Sequence, residues 1–93
     1  MKSYEALEKE RERVRQEIID NLDFLMGSVS TKGPQRPGLN LTFKINQVTR
    51  TKHIRKEHET RVKDMTAQWR RLRVLLKKLS DINWERLNRN LTW

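Results

Sequence analysis

Residues 39–54 of this chain read LNLTFKINQVTRTKHI, and the alternation within this stretch predicts a β-hairpin in an otherwise helical protein. Apolar side chains occupy every second position from Leu39 to Ile45, which is the period of a strand with one buried face. A second strand, rich in Thr and Val, runs from Val48 to Ile54. Because a two-stranded ribbon is unstable alone, we expect it to lean on a helix or on another chain.

The turn between the two strands sets their register. A two-residue turn at Asn46-Gln47 places three pairs of residues opposite each other: Ile45 with Val48, Phe43 with Arg50, and Leu41 with Lys52. Because Gln is poorly suited to a positive φ angle, a longer turn with shifted pairing is the alternative. In the two-residue register the Phe43 ring would stack under Arg50. The opposite face then carries Thr42, Lys44, Thr49, Thr51 and His53.

Two helical segments flank the hairpin. Each has apolar residues at steps of three and four, so that each presents one face that needs a partner. The first stripe consists of Tyr4, Leu7, Val14, Ile18, Leu22 and Leu25, and the second of Val62, Met65, Trp69, Leu72, Leu76 and Leu79. We predict a helix over residues 3–26, with Ser3 as its N-cap and Gly27 as its left-handed C-cap, and a second helix over residues 56–79.

The remaining segments are a linker and a tail. Residues 27–38 are predicted to be a loop, because Gly33-Pro34 and Pro37-Gly38 interrupt small polar residues. Ser80-Asp81 is expected to break the second helix, which leaves a short amphipathic C-terminal helix over residues 82–91. Trp84 and Trp93 are unfavourable in water, so we expect this tail to dock on the helices or on a neighbouring subunit.

Together these patterns predict a mainly α fold with a small β-hairpin. Two long antiparallel helices, meeting along a coiled-coil-like seam, would flank a basic two-stranded ribbon and be followed by a short C-terminal helix, all in a single domain over residues 1–93. A chain of 93 residues buries only about two-thirds of its unfolded surface. We therefore expect a homo-oligomer or a stabilising partner.

Composition excludes several classes of chemistry. The chain has no cysteine, no Gly-rich phosphate loop and no nucleophile motif, so we expect neither an enzyme nor a cofactor. His53 and His58 alone make an incomplete metal site. No apolar run is long enough for a membrane span or a signal peptide, so we predict a cytoplasmic protein without a membrane partner.

Positive charge is concentrated after the first helix. Residues 1–27 carry a net charge of −2, residues 28–57 of +6, and residues 58–93 of +5. This asymmetry favours a polyanionic partner, DNA or RNA first. Phosphate contacts are expected from the ribbon residues Lys44, Arg50, Lys52, Arg55 and Lys56, from the helix residues Arg70, Arg73 and Lys77, and from the hydroxyls of Thr42, Thr49 and Thr51.

Three stretches carry a resemblance to a known family: Gly27-Ser28-Val29-Ser30, Leu41-Thr42-Phe43-Lys44-Ile45, and Thr49-Arg50-Thr51-Lys52-His53-Ile54-Arg55 ahead of a Trp/Arg/Leu-rich helix. They resemble a small prokaryotic family of unknown function that is often found in mobile genetic elements. The resemblance covers about residues 15–87 and implies the order helix, Gly-Ser-Val turn, hairpin, helix. It also implies a mobile-element or phage context, and it assigns no activity.

This chain departs from that family's pattern at two places. Gln47 and Val48 stand where the family has the Gly and Lys of its turn, and residues 31–38 replace a cysteine-rich insertion, so any metal role of those cysteines is lost. We therefore predict a non-enzymatic nucleic-acid-binding or nucleoprotein accessory protein. The alternative is a protein-interaction adaptor, or a small phage or mobile-element inhibitor, that docks on a larger protein through its helices and its Trp tail.

Overall fold

The computed structural model describes residues 2–93, which form two α-helices and one three-stranded antiparallel sheet. The elements in chain order are helix α1 (Tyr4–Asp20), strands β1 (Ser28–Thr31), β2 (Leu39–Ile45) and β3 (Val48–Ile54), a 3₁₀ turn (Lys56–His58), and helix α2 (Glu59–Asn88). The sheet order is β1-β2-β3. The combination of helices with a small antiparallel sheet agrees with the prediction, whereas the third strand corrects the expected two-stranded ribbon.

The chain divides into two compact units. The helical unit consists of the chain up to Leu22 together with Arg71–Trp93, and the sheet unit is Asp23–Arg70. Helix α2 contributes its first part to the sheet unit and its second part to the helical unit. Within residues 2–93, no helix has both the length and the apolar composition that crossing a lipid bilayer requires.

The hairpin and its register are confirmed. Strands β2 and β3 pair from Leu39 opposite Ile54 to Ile45 opposite Val48. The connecting residues Asn46 and Gln47 have φ angles of 50° and 65°. Two successive left-handed residues are the signature of a type I′ turn, whose twist matches that of the strands it joins. The two-residue turn therefore forms even though Gln stands where Gly is preferred.

Strand β1 corrects the predicted loop over residues 27–38. It pairs antiparallel with β2, from Ser28 opposite Thr42 to Thr31 opposite Leu39. Gly27 precedes it with a φ of +128°, and a Cβ there would lie 2.5 Å from the carbonyl oxygen of Thr42. Gly27 thus permits the close approach of two backbones, and it is not the C-cap of the first helix.

Helix α1 begins as predicted and ends earlier. The Ser3 hydroxyl accepts a hydrogen bond from the Ala6 amide at 3.2 Å, as expected of an N-cap. At the other end, the Asn21 side-chain amide donates to the Glu17 carbonyl at 2.8 Å, and the helix ends at Asp20 rather than at Met26. The side-chain bond satisfies a terminal carbonyl that would otherwise lack a partner.

The residues after α1 instead join the sheet unit. The Phe24 ring stacks on Trp69 with 5.3 Å between ring centroids, and the Leu25 amide donates to the Met65 carbonyl at 3.1 Å. Trp69 is therefore packed, as predicted, but its partner is an aromatic ring from the segment that was expected to continue α1. These contacts replace one and a half further turns of helix.

The core of the helical unit is formed by α1 and the second part of α2. Its buried residues are Leu7, Val14, Leu75 and Ile82, with Ile18, Leu79 and Leu91 packed against them. Ion pairs of Glu8 with Arg86 and of Glu17 with Arg71 run in opposite order along the helices, so this packing is antiparallel. The predicted seam is wrong in part, because Tyr4, Leu22 and Leu76 are exposed. Leu75, which the stripe omitted, is completely buried.

Helix α2 is continuous, which corrects both the predicted end at residue 79 and the separate C-terminal helix over residues 82–91. Asp81 is held within the helix by Lys77 one turn earlier. The helix stops at Asn88, where Asn90 adopts a φ of 56° and the Leu91 amide donates to the Arg86 carbonyl at 3.1 Å. This is the Schellman arrangement, in which a left-handed residue closes the helix and an apolar residue folds back on it.

Candidate nucleic-acid interface

The polar face of the sheet carries the hydroxyl groups. In the observed register, residues opposite each other share a face, which places Thr42 with Thr51 and Lys44 with Thr49. Strand β1 adds Ser30 to this face, with its Oγ 2.9 Å from Thr42 Oγ1. Lys44, Thr49, Thr51 and His53 are all exposed. The polar face is therefore an open surface of hydroxyls, a lysine and a histidine.

The other face of the sheet is apolar at one end and cationic at the other. Leu41 and Ile54 are buried, whereas Arg50 and Lys52 are exposed on the same face of β3. The Lys52 ammonium lies 5.4 Å from the centroid of the Phe43 ring. The cation over the Phe43 ring is thus its diagonal neighbour Lys52, which corrects the expected stacking of Phe43 under Arg50.

The cations of the strands and of the following 3₁₀ turn form no ion pairs within residues 2–93. From Ser28 to Arg55 the chain contains six Lys or Arg residues and no Asp or Glu. None of these six residues, nor Lys56, forms an ion pair with any carboxylate in residues 2–93. All of them except the half-buried Lys32 are exposed. The positive potential of this surface is therefore directed to solvent.

In the helical unit, five cations form ion pairs with carboxylates, whereas others, such as Lys9 and Lys78, form none within residues 2–93. Arg86, only 3% exposed, donates from Nε to Glu8 at 2.6 Å and from Nη2 to the Thr92 carbonyl at 2.5 Å. Further ion pairs join Arg71 to Glu17, Lys77 to Asp81, Arg89 to Glu85 and Lys2 to Glu10. The ion pairs named here all lie in the helical unit, whereas the cations from Lys32 to Lys56 form none within residues 2–93.

The structure brings only part of the predicted site together. Lys44, Arg50, Lys52 and the three predicted threonines lie on the hairpin, with Arg55 and Lys56 at its end and at the following 3₁₀ turn. Among the helix residues, Arg70 belongs to the sheet unit, whereas Arg73 and Lys77 belong to the helical unit. Lys77 is engaged by both carboxylate oxygens of Asp81, at 2.6 and 2.8 Å.

Two features of this surface were missed by the sequence interpretation. Strand β1 supplies Ser28 and Ser30 to the polar face, and its only signal was a short run of β-branched and hydroxyl residues. At the tip of the hairpin, Ile45 and Val48 are 53% and 50% exposed. Alternation had assigned them to a covered face, because a sequence pattern does not show where the covering element ends.

The C-terminal segment docks only in part. Leu91 packs on the helical core, and the Trp93 ring lies 4.5 Å from the Arg86 guanidinium and 5.9 Å from that of Arg11. Trp84 and Trp93 are nevertheless each 65% exposed. The expectation that the tail docks on the helices therefore holds for Leu91, is met by Trp93 only through its contacts with the two guanidinium groups, and fails for Trp84.

No metal cluster accompanies these surfaces in the part of the chain that is described. Across residues 2–93, no three or more His, Asp or Glu side chains are placed to hold a metal ion. Comparison with protein-family models, with curated proteins and with solved structures gave no match.

Proposed function

We propose that this protein binds nucleic acid through its antiparallel sheet, as a non-enzymatic binding or nucleoprotein accessory protein. The observation that carries the proposal is the run from Ser28 to Arg55, which has six cations, no carboxylate and no internal ion pair within residues 2–93. Cations that form no ion pair within the protein can neutralise phosphates and release the counterions condensed on them.

The spacing of the cations supports this assignment. Arg50 and Lys52 alternate along one face of β3, so their Cα atoms are about 6.8 Å apart at 3.4 Å per residue. Two steps of one nucleic-acid strand advance by about the same distance. In this proposal Lys44, Arg50, Lys52, Arg55 and Lys56 contact phosphates, and Thr42, Thr49 and Thr51 add hydroxyl hydrogen bonds. A two-stranded ribbon of this kind also fits a DNA major groove.

The test is binding to a labelled DNA duplex, a single strand and an RNA duplex, measured by fluorescence anisotropy over a range of salt concentrations. Five phosphate contacts predict a slope of log K against log salt of about −4.5, so that affinity falls several hundredfold between about 50 and 200 mM salt. Reversing the charge with Arg50→Glu and Lys52→Glu is expected to reduce the slope by about 2 and to remove most of the binding.

A matched control keeps the net charge of that variant and leaves the sheet intact. Lys9→Glu with Lys78→Glu reverses two exposed cations of the helical unit, neither of which forms an ion pair within residues 2–93. This control is expected to weaken binding far less than the sheet variant. Equal losses in the two variants would show that net charge alone drives the binding, and no binding at low salt would end the proposal.

A second candidate function, docking on a protein, is favoured by an apolar stripe on α2. Leu76, Trp84 and Leu87 lie within about a quarter-turn of one another on a helix of 3.6 residues per turn. All three are exposed, and an exposed Trp is typical of interface anchors. A larger protein or a second copy of this chain would cover the stripe. Sedimentation velocity over a range of concentrations tests the second copy, with Trp84→Lys expected to abolish self-association.

The other expectations from the sequence stay predictions. A cytoplasmic location, a homo-oligomeric state and a mobile-element context are each compatible with a nucleoprotein accessory role. The salt-dependent binding experiment separates the two candidate functions, because docking through the α2 stripe predicts no such dependence on Arg50 and Lys52.

A further inference from the structure

The tip of the hairpin is built differently from the rest of the sheet. Strand β1 reaches no further along β2 than Thr42, so residues 43–50 form a ribbon of only two strands. Ile45 and Val48 face each other at its end and are 53% and 50% exposed. A β-branched apolar pair is thus presented to solvent at the end of a narrow projection.

Cations surround this apolar pair. Lys44 neighbours Ile45 on β2, Arg50 follows Val48 by two residues on the same face of β3, and Lys52 lies over the Phe43 ring. Apolar residues at a protein surface often stand singly and need no explanation. Here Ile45 and Val48 form the apolar end of a positively charged hairpin. An apolar end beside cations is suited to a ligand that has negatively charged edges and an apolar interior.

We propose that Ile45 and Val48 form a wedge that inserts between adjacent base pairs of duplex DNA and kinks it, while the neighbouring cations hold the phosphates. This inference rests on the proposed function and adds DNA deformation to it. Stacked bases are the apolar interior of a phosphate-edged ligand, and aliphatic side chains that enter a base step unstack it partially. Binding to an anionic membrane would require a broader apolar face than two side chains provide.

The turn geometry supports this role for the pair. The type I′ turn at Asn46 and Gln47 keeps the chain reversal to two residues, so only these two residues extend beyond Ile45 and Val48. A structural role alone, the cross-strand pairing of two β-branched residues, needs only β-branching and not apolar side chains. Replacing both by Thr separates the two roles, because Thr keeps the branching and puts a hydroxyl in place of one apolar arm.

The experiment uses the full chain and a short duplex that contains flexible TA and CA steps and several 2-aminopurines, labelled at its ends for energy transfer. Wild-type protein is expected to raise 2-aminopurine fluorescence and to shorten the end-to-end distance, as a kink of about 20–90° would. Ile45→Thr with Val48→Thr is expected to bind with an unchanged salt slope and to leave the duplex straight and stacked. Val48→Ile, which enlarges the wedge and suits a strand, is expected to preserve the kink.

A matched control makes the same chemical change elsewhere. Ile19→Thr with Val74→Thr alters residues that are 59% and 49% exposed in the helical unit, and it is expected to leave the kink unchanged. Circular dichroism of each variant checks that the sheet is intact, and Val48→Ile keeps the test valid if the double Thr variant unfolds.

Each outcome supports or removes the wedge. Steep salt-dependent binding to a duplex that stays straight would overturn it and leave the proposed function standing, as would a double Thr variant that still kinks the duplex. Binding to phosphatidylserine vesicles that requires Ile45 and Val48, without a kink in DNA, would assign the tip to membranes instead. Absence of any nucleic-acid binding would overturn both proposals.

Discussion

A methyl group added at Gly27 is expected to destabilise the protein far more than the same methyl group at Gly33. The two glycines have nearly the same backbone angle, with φ of +128° and +126°. Their surroundings differ completely. A Cβ at Gly27 would lie 2.5 Å from the Thr42 carbonyl oxygen, whereas a Cβ at Gly33 would have nothing within 4 Å. The pair therefore separates backbone strain from steric overlap.

The magnitudes follow from these two terms. Both Gly27→Ala and Gly33→Ala force an L-residue into an unfavourable conformation, which costs about 1–3 kcal/mol. At Gly27 the new methyl group also overlaps backbone, which cannot rotate away, so β1 must withdraw from β2. Overpacking of this kind costs a further 1–3 kcal/mol, roughly. With only four residues in β1, the strand has little pairing to resist the shift.

The assay is urea unfolding followed by far-ultraviolet circular dichroism, with the free energy of unfolding extrapolated to water for each variant. Gly27→Ala is expected to lose about 2 kcal/mol more than Gly33→Ala, which corresponds to a melting temperature roughly 8–16 °C lower. Equal losses for the two variants, or no loss at Gly27, would refute the assignment of Gly27 to a close contact between β1 and β2.

Two further predictions concern the turn and the buried ion pair. Gln47→Gly is expected to stabilise the protein by up to about 1 kcal/mol, because Gln47 has a φ of 65° that Gly adopts without strain. A thermal unfolding scan measures the effect. A variant that melts at a lower temperature than the wild type would contradict the left-handed conformation of Gln47. Arg86→Met is expected to cost about 2–3 kcal/mol in urea unfolding, less than a fully buried pair because the Glu8 side chain keeps 28% exposure. Lys77→Gln, which breaks an exposed pair, should change the stability by less than about 0.5 kcal/mol, and similar losses for the two variants would show that burial is not the deciding factor.

Structural features that depend on residues close together in the sequence could be predicted from the order of residues. The alternation over residues 39–54 predicted both strands of the hairpin and, with Asn46-Gln47 as the turn, their register. Ser3 was recognised as an N-cap because the capping bond reaches only three residues ahead. The concentration of positive charge after the first helix was likewise visible, since it is a count of residue types.

Features that depend on distant partners were not readable. Helix α1 stops at Asp20 and the chain turns away, with Phe24 packing on Trp69 across 45 positions of sequence. Strand β1 forms because Gly27 allows its backbone to approach β2 closely. The four residues from Ser28 to Thr31 are too few to show an alternation that would predict a strand. The sequence prediction also assigned the wrong residues of α2 to the contact with α1. Two apolar stripes with the same period do not specify which of their residues pack against each other.

The candidate site also has features that residue order predicted and features that depend on distant partners. Residue order was enough to place Lys44, Arg50 and Lys52 on one exposed hairpin, because a strand's period dictates which side chains share a face. It was not enough to show that Glu17 pairs with Arg71 and Glu8 with Arg86, while the cations of the sheet form no ion pairs within residues 2–93. Ion pairs join residues that are neighbours in space, and for Glu8 and Arg86, 78 positions apart, that proximity arises only when the two helices pack.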